Sequence, residues 1–177
     1  MGTTYKDFEG DAIARSHWDA SGTTYYYEDN SNRNDIVNIK VTHDDNYYYF
    51  YVDTATDITA HNGTDTNWMN LFIGTEYGTN TFAGFNYVLN REPNVANGTT
   101  SIHRYNNGTW ESAGTADIKA QGKMMMLRIP RDVVGRTAET EIRFKVSDNV
   151  TNQNDIMDYY VTGDSAPIGR LGFVYGC

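Results

Sequence analysis

Ile36-Val37-Asn38-Ile39-Lys40-Val41-Thr42-His43, then Asp44-Asp45-Asn46, then Tyr47-Tyr48-Tyr49-Phe50-Tyr51-Val52-Asp53 is the stretch that decides the fold. Two β-rich runs flank a cluster of turn formers, the pattern of a hairpin. In the first arm Val37, Ile39 and Val41 alternate with Asn38, Lys40 and Thr42, the period of a strand with one buried face. The second arm has no polar side before Asp53. With Tyr48, Phe50 and Val52 facing a core, Tyr47, Tyr49 and Tyr51 form an aromatic row on the opposite face. That row must be covered by other segments or used for binding.

The same period recurs outward along the chain. Trp68-Met69-Asn70-Leu71-Phe72-Ile73 places Met69, Leu71 and Ile73 on one face, and Phe85, Tyr87 and Leu89 alternate with Asn86, Val88 and Asn90. Asn106-Asn107-Gly108 sits between two strand-like runs, and Asn-Gly is a strong hairpin signal. Met124 to Ile129 and Glu141 to Val146 alternate in turn, while Arg131–Gly135 suits a helical turn or a connector. No stretch keeps helical periodicity for ten residues. The expectation is an all-β, two-sheet antiparallel β-sandwich, with Val37, Ile39, Val41, Phe50, Val52, Leu71, Ile73, Leu127, Ile142, Phe144 and Val146 in its core. Asn-X-Thr triplets at Asn62, Asn97, Asn107 and Asn149 read as turns rather than as glycosylation acceptors.

The length of 177 residues suits one domain over 1–177. Met1-Gly2-Thr3 reads as a vector-derived scar, so the expected context is a domain cut from a larger multidomain protein. With 14 Lys and Arg against 23 Asp and Glu, the net charge is −9. Nucleic acid, which demands a basic footprint, is therefore excluded as a partner. An acidic polysaccharide is disfavoured too as a general target, unless a local Arg cluster overrules the total. No apolar run approaches the ~20 residues of a membrane span. The sole cysteine, Cys177, has no internal partner.

The four histidines, His17, His43, His61 and His103, are scattered and form no metal-gripping pair. Nucleophile elbows and glycine-rich phosphate cradles are absent, so the chain is expected not to be an enzyme. Asp7, Glu9 and Asp11 alternate around Gly10, a run whose oxygens suit calcium as a structural ion. The remaining chemistry is aromatic rings beside planar polar groups. Apolar sugar faces stack on Trp and Tyr while hydroxyls bond to Asn, Asp, Glu and Arg. Trp68 follows a long polar loop, Thr54 to Asn67, and is either a binding aromatic or a plug for an open sandwich end. Trp110 and Trp18 also lie near turns or strand ends, where loops carry binding.

Asp35-Ile-Val-Asn-Ile-Lys-Val, Asp44-Asp45-Asn46, Trp68-Met-Asn-Leu-Phe-Ile, Gly84-Phe-Asn-Tyr-Val-Leu-Asn-Arg, Met126-Leu-Arg-Ile-Pro-Arg and Gly169-Arg-Leu-Gly-Phe-Val-Tyr together span most of the chain. In this series the chain resembles the DOMON-like β-sandwich superfamily, above all the family 9-like carbohydrate-binding modules of bacterial secreted enzymes. The resemblance implies a non-catalytic module that binds a polysaccharide or oligosaccharide for a covalently linked catalytic domain, often with structural calcium. It also implies an extracellular, cell-surface or periplasmic place. On its strands Asn70, Asn90 and Arg91 fall where that family holds sugar, with Trp68 as first clamp and Trp110 or Trp18 opposing it. Near Gly163–Gly169 the family's second tryptophan is replaced here by Asp164-Ser165-Ala166-Pro167-Ile168. Two alternatives stand beside this reading: a structural or adhesive domain of a surface protein, and a b-type haem domain using Met69 and His103.

Overall fold

The computed structural model describes residues 2–10, 15–18, 20–27, 33–76, 78–135 and 141–176. In them the alternating runs become thirteen strands. These are β1 Thr3–Lys6, β2 Arg15–Trp18, β3 Thr24–Tyr27, β4 Ile36–His43, β5 Tyr47–Thr54, β6 Asn70–Gly74 and β7 Tyr87–Leu89. β8 Thr99–Asn106, β9 Thr109–Gln121, β10 Met124–Pro130, β11 Ile142–Asp148, β12 Asp164–Ala166 and β13 Phe173–Tyr175 complete the set. The helical content of the described residues is two 3-10 turns, Val95–Asn97 and Ile156–Tyr160. No helix among them is long and apolar enough to cross a membrane.

The founding hairpin forms as expected, and its register sets Val41 opposite Phe50 and Lys40 opposite Tyr51. Its turn is closed by Asp44, whose Oδ1 accepts from the amides of Asn46 and Tyr47 at 2.8 Å each. The Asn107-Gly108 turn joins β8 to β9 with both residues at positive φ (46° and 97°), the geometry that favours Asn-Gly. One core assignment is corrected. A bulge between Ile36 and Asn38 inserts a residue, so Ile36 is buried and Val37 is only half-buried. Arg131–Gly135 is a connector rather than a helical turn.

The all-β, antiparallel expectation holds, but the pairing does not divide into two sheets. Eleven strands join in one curled sheet, in the order β1-β4-β5-β10-β9-β8-β7-β6-β11-β12, with β13 also on β11. β2 and β3 pair separately. Curling brings the two ends of the sheet together. Tyr5 of β1 meets Phe144 of β11 edge-on at 4.9 Å, and its hydroxyl donates to the Val174 carbonyl at 2.7 Å. The Ile36 amide donates to Asp164 Oδ2 at 2.7 Å. The enclosed side holds the main core, including Ile39, Val41, Phe50, Val52, Leu71, Ile73, Leu127, Ile142, Phe144 and Val146. Fully burying such a side chain contributes about 1.5–3 kcal/mol, so this face sets the register.

The outer side of the sheet is treated in two ways. Over β6, β7 and β8 it carries a second apolar cluster of Phe72, Phe82, Phe85, Val88, Val150 and Tyr159, with Tyr105 and Trp110 packed against it. Phe85 therefore leaves the face of Tyr87 and Leu89, which belong to the main core. Segments 82–85 and 150–159 supply the cover. Over β4, β5, β10 and β9 no described segment plays that part, and the outer face is an open groove.

Candidate functional site

The open half is built from straight rungs of side chains across four strands. Lys40 of β4, Tyr51 of β5, Met126 of β10 and Lys119 of β9 form one rung. Thr42, Tyr49, Arg128 and Asp117 form the next. Because side chains alternate across a strand, every second residue of each strand is delivered to this face. β5 follows that rule strictly, with Tyr47, Tyr49 and Tyr51 half-buried and Tyr48, Phe50 and Val52 in the core. The rungs line a groove of about 490 Å³ whose surface is ring faces and the methylene stems of Lys, Arg and Met. Met126, 48 % exposed, sits in the middle of the first rung.

The tyrosines are held before any ligand arrives. The Tyr49 hydroxyl donates to Asp44 Oδ2 at 2.7 Å. That bond holds the Tyr49 phenol above its ordinary value of 10.0 and, with the two backbone amides, holds the Asp44 carboxyl low. A hydrogen bond to Asp53 raises the Tyr51 phenol in the same way. The Tyr47 and Tyr49 rings lie 6.3 Å apart, with the Arg128 guanidinium 4.8 Å from the centre of Tyr47. Arg128 is paired with Asp117 at 2.5–2.6 Å, and the Lys40 ammonium lies 5.4 Å from the Tyr51 ring centre. Cations over ring faces and anchored hydroxyls fix ring orientation, which lowers the cost of ordering on binding.

Of the residues expected to bind sugar, the five with described side chains do not gather at a surface. Trp68 is 1 % exposed, its indole N–H donating to the Thr59 carbonyl at 2.6 Å and its ring edge-on to His61. It backs a hollow of about 380 Å³ shared with Pro93, Val95 and Gln121, but it is the plug of the two readings, not an open ring face. The long loop before it is tied down rather than free. Arg33 reaches Asp65 at 2.9 Å and Asp148 at 2.7 Å, and the Thr59 amide donates to Asn34 Oδ1 at 2.7 Å. Burial pushes the Asp148 carboxyl up against the pull of Arg33.

Asn70 and Asn90 are buried braces between β6 and the end of β7. Asn70 Nδ2 donates to the Leu89 carbonyl at 3.2 Å, Asn90 Nδ2 to the Met69 carbonyl at 2.6 Å, and Thr100 Oγ1 to Asn90 Oδ1 at 2.8 Å. Met69 and Asn90 both have positive φ (42° and 66°), so the chain there leaves carbonyls that the strand ladder does not satisfy. Arg91 is half-buried with its NH1 on Gln153 Oε1 at 3.1 Å, and burial lowers its pKa. Trp110 packs in the covered half, 5.0 Å from Tyr105 and 5.9 Å from Phe82. Trp18 ends β2 opposite Thr24, and its side chain lies outside the described residues.

For the calcium expectation, Glu9 is exposed, Asp7 is half-buried, and Asp11 lies outside the described residues. Among the described residues no three acidic, His or Cys groups are placed to hold a metal ion. Asp7 and Asp164 lie near a different cation, the buried ammonium of Lys145, which donates to the Pro167 carbonyl. The pair imagined for haem is split between faces. Met69 is in the enclosed core, whereas His103 lies opposite Val88, on the outer side.

No protein-family model, curated protein or solved structure matches the chain. The tyrosine row was visible in the sequence, but its neighbours were not. Register alone brings Lys40, Met126, Arg128 and Lys119 around it.

Proposed function

We propose that this chain is a non-catalytic carbohydrate-binding domain whose ligand lies on the outer face of β4, β5, β10 and β9. The observation that carries the reading is the groove of about 490 Å³ floored by half-buried, hydroxyl-anchored Tyr49 and Tyr51 on a sheet of fixed register. Sugar rings offer apolar C–H faces to such rings, and Thr42, Asp117 and the lysines at the rim offer hydrogen bonds to hydroxyls. The carboxylates on this face have partners, Asp44 on Tyr49 and Asp117 on Arg128, so they support binding rather than acid–base chemistry. A structural or adhesive domain would need this face covered, and among the described residues it is open.

The curled sheet, with its two ends packed together, is in this reading a two-layered sandwich of the DOMON-like kind. The domain would serve a covalently linked catalytic domain in a secreted, cell-surface or periplasmic parent protein, targeting it to a polysaccharide. A structural calcium on the Asp7–Glu9–Asp11 arm belongs to the proposal on the strength of that acidic run alone.

The test is an affinity-gel screen over polysaccharides with Tyr49→Ala and Tyr51→Ala. A stacked ring is worth about 1–3 kcal/mol by analogy with base stacking, so each variant should lose roughly tenfold to a hundredfold in affinity. Retention of both variants equal to the parent protein removes the site. No retention on any glycan removes the function.

A further inference from the structure

The rung that crosses the groove has a lysine at each end: Lys40, Tyr51, Met126, Lys119. We infer that the ligand is a carboxylate-bearing polysaccharide, a polyuronate, lying along β5 and β10 between these two lysines; this rests on the carbohydrate reading above.

Charge is the first argument. The ionised groups lining the groove are Lys40, Lys119, Arg128 and Asp117, which sum to +2. The whole chain is −9, so the remainder carries −11. Even with Asp44 and Asp53, which bond to the floor tyrosines, counted in, the strip is less acidic than the chain as a whole, which favours a polyanion here over the average surface. Asp44 and Asp53 flank the row, each engaged by a tyrosine hydroxyl. Arg128 is matched by Asp117 at 2.5 Å. Lys119 makes no ion pair among the described residues, and Lys40 rests over Tyr51 with its ammonium at the rim.

Geometry is the second. Lys40 and Lys119 stand three strand spacings apart, about 14 Å at ~4.8 Å each. Between them lies an apolar strip two strands wide, Tyr51 beside Met126. A flat ring seated on that strip puts its edge groups toward the two lysines. In a 1,4-linked chain of two-fold screw symmetry successive rings turn over, so their carboxylates point alternately to opposite sides. One wall then meets Lys40 and the other Lys119. A neutral glycan would use the strip and offer the two ammonium groups hydroxyls only, whereas a carboxylate gives each a charge-assisted hydrogen bond.

The experiment measures binding of the intact chain to polygalacturonate, to a neutral β-glucan and to single-stranded DNA, at about 0.01 M and about 0.15 M salt. Across that range the Debye length shrinks from about 30 Å to about 8 Å. We expect polygalacturonate to bind best, with affinity falling about tenfold or more as salt rises. Lys40→Ala/Lys119→Ala, at two exposed positions where substitution leaves the fold intact, should lose about tenfold at low salt and most of the salt dependence. Neutral glucan bound as tightly as polygalacturonate, or a double variant that behaves as the parent, overturns the inference and leaves the glycan site standing. DNA bound as tightly as polygalacturonate overturns it as well, since charge alone would then suffice. Retention of no glycan at either salt overturns the carbohydrate reading itself.

Discussion

Lys145 offers the sharpest test of how this fold is balanced. Its side chain is fully buried on β11, opposite Phe72 of β6. Burial lowers the ammonium from its ordinary value of 10.5 to about 7, against the opposing pull of Asp7 and Asp164, while Arg143 pushes further down. The unfolded chain keeps the ordinary value. Between pH 7 and 10.5 the unfolded state therefore holds a proton that the folded state does not, and stability rises with pH. The contribution is complete above 10.5 and is lost as pH falls to 7. A tenfold change in proton affinity is about 1.4 kcal/mol, so the full span is worth roughly 5 kcal/mol. The useful window ends near about pH 9.5, because phenols held high in the folded state oppose the trend as they ionise in the unfolded chain. Urea unfolding across pH 7 to 9.5 should give the parent protein a slope near +1.4 kcal/mol per pH unit at its steepest. Lys145→Met keeps the length of the side chain and removes the titration, so its profile should be flatter by that amount. Equal slopes in the two proteins, or a parent whose stability falls across the window, would refute the reasoning.

Three further outcomes follow from features already described. Trp68→Ala should destabilise by about 3–5 kcal/mol in denaturant titration, because it empties a buried site, while glycan retention of the folded protein stays unchanged. Gly163 has φ 64°, and a Cβ there would run into the Asp148 carbonyl and the Val150 amide. Gly163→Ala should accordingly lower stability by more than about 2 kcal/mol, and an unchanged melting curve would contradict that backbone geometry. Chelator should lower the melting temperature if the Asp7–Glu9–Asp11 arm holds calcium, since a ligand at a hundredfold excess over Kd stabilises by ~2.7 kcal/mol. A melt indifferent to chelator and to added calcium removes the ion.

Much of the strand pattern was legible because period two is written locally. Ile39, Val41, Phe50 and Val52 announce their shared face within one hairpin, and Asn107-Gly108 announces its turn. Val37 was misplaced because a bulge follows no sequence period; it depends on how β4 must bend to meet β5. The single curled sheet was illegible for a longer-range reason. Whether β6 pairs β11 or begins a second sheet is decided by residues some seventy positions apart. The same limit governed the site. Trp68, Asn70 and Asn90 are residue types that bind sugars, yet here they satisfy internal carbonyls and close one end of the core. Asn90 in particular owes its burial to backbone left unpaired by the positive φ of Met69 and of Asn90 itself. The tyrosine row could be read but not judged, because the cover that Phe72 receives from Phe82 and Tyr159 has no counterpart over Tyr49 among the described residues.

That division of the outer face also divides the protein's optical signals. The two tryptophans with described side chains, Trp68 and Trp110, sit at the core's end and in the covered half. Their emission reports whether the fold is intact. Among the described side chains the groove is lined by Tyr49 and Tyr51 and by no indole, so an occupant should perturb phenol absorption and leave the emission of Trp68 and Trp110 nearly still. Unfolding moves both signals together. A ligand that moves only the first is on the tyrosine face, and one that moves only the second has bound elsewhere.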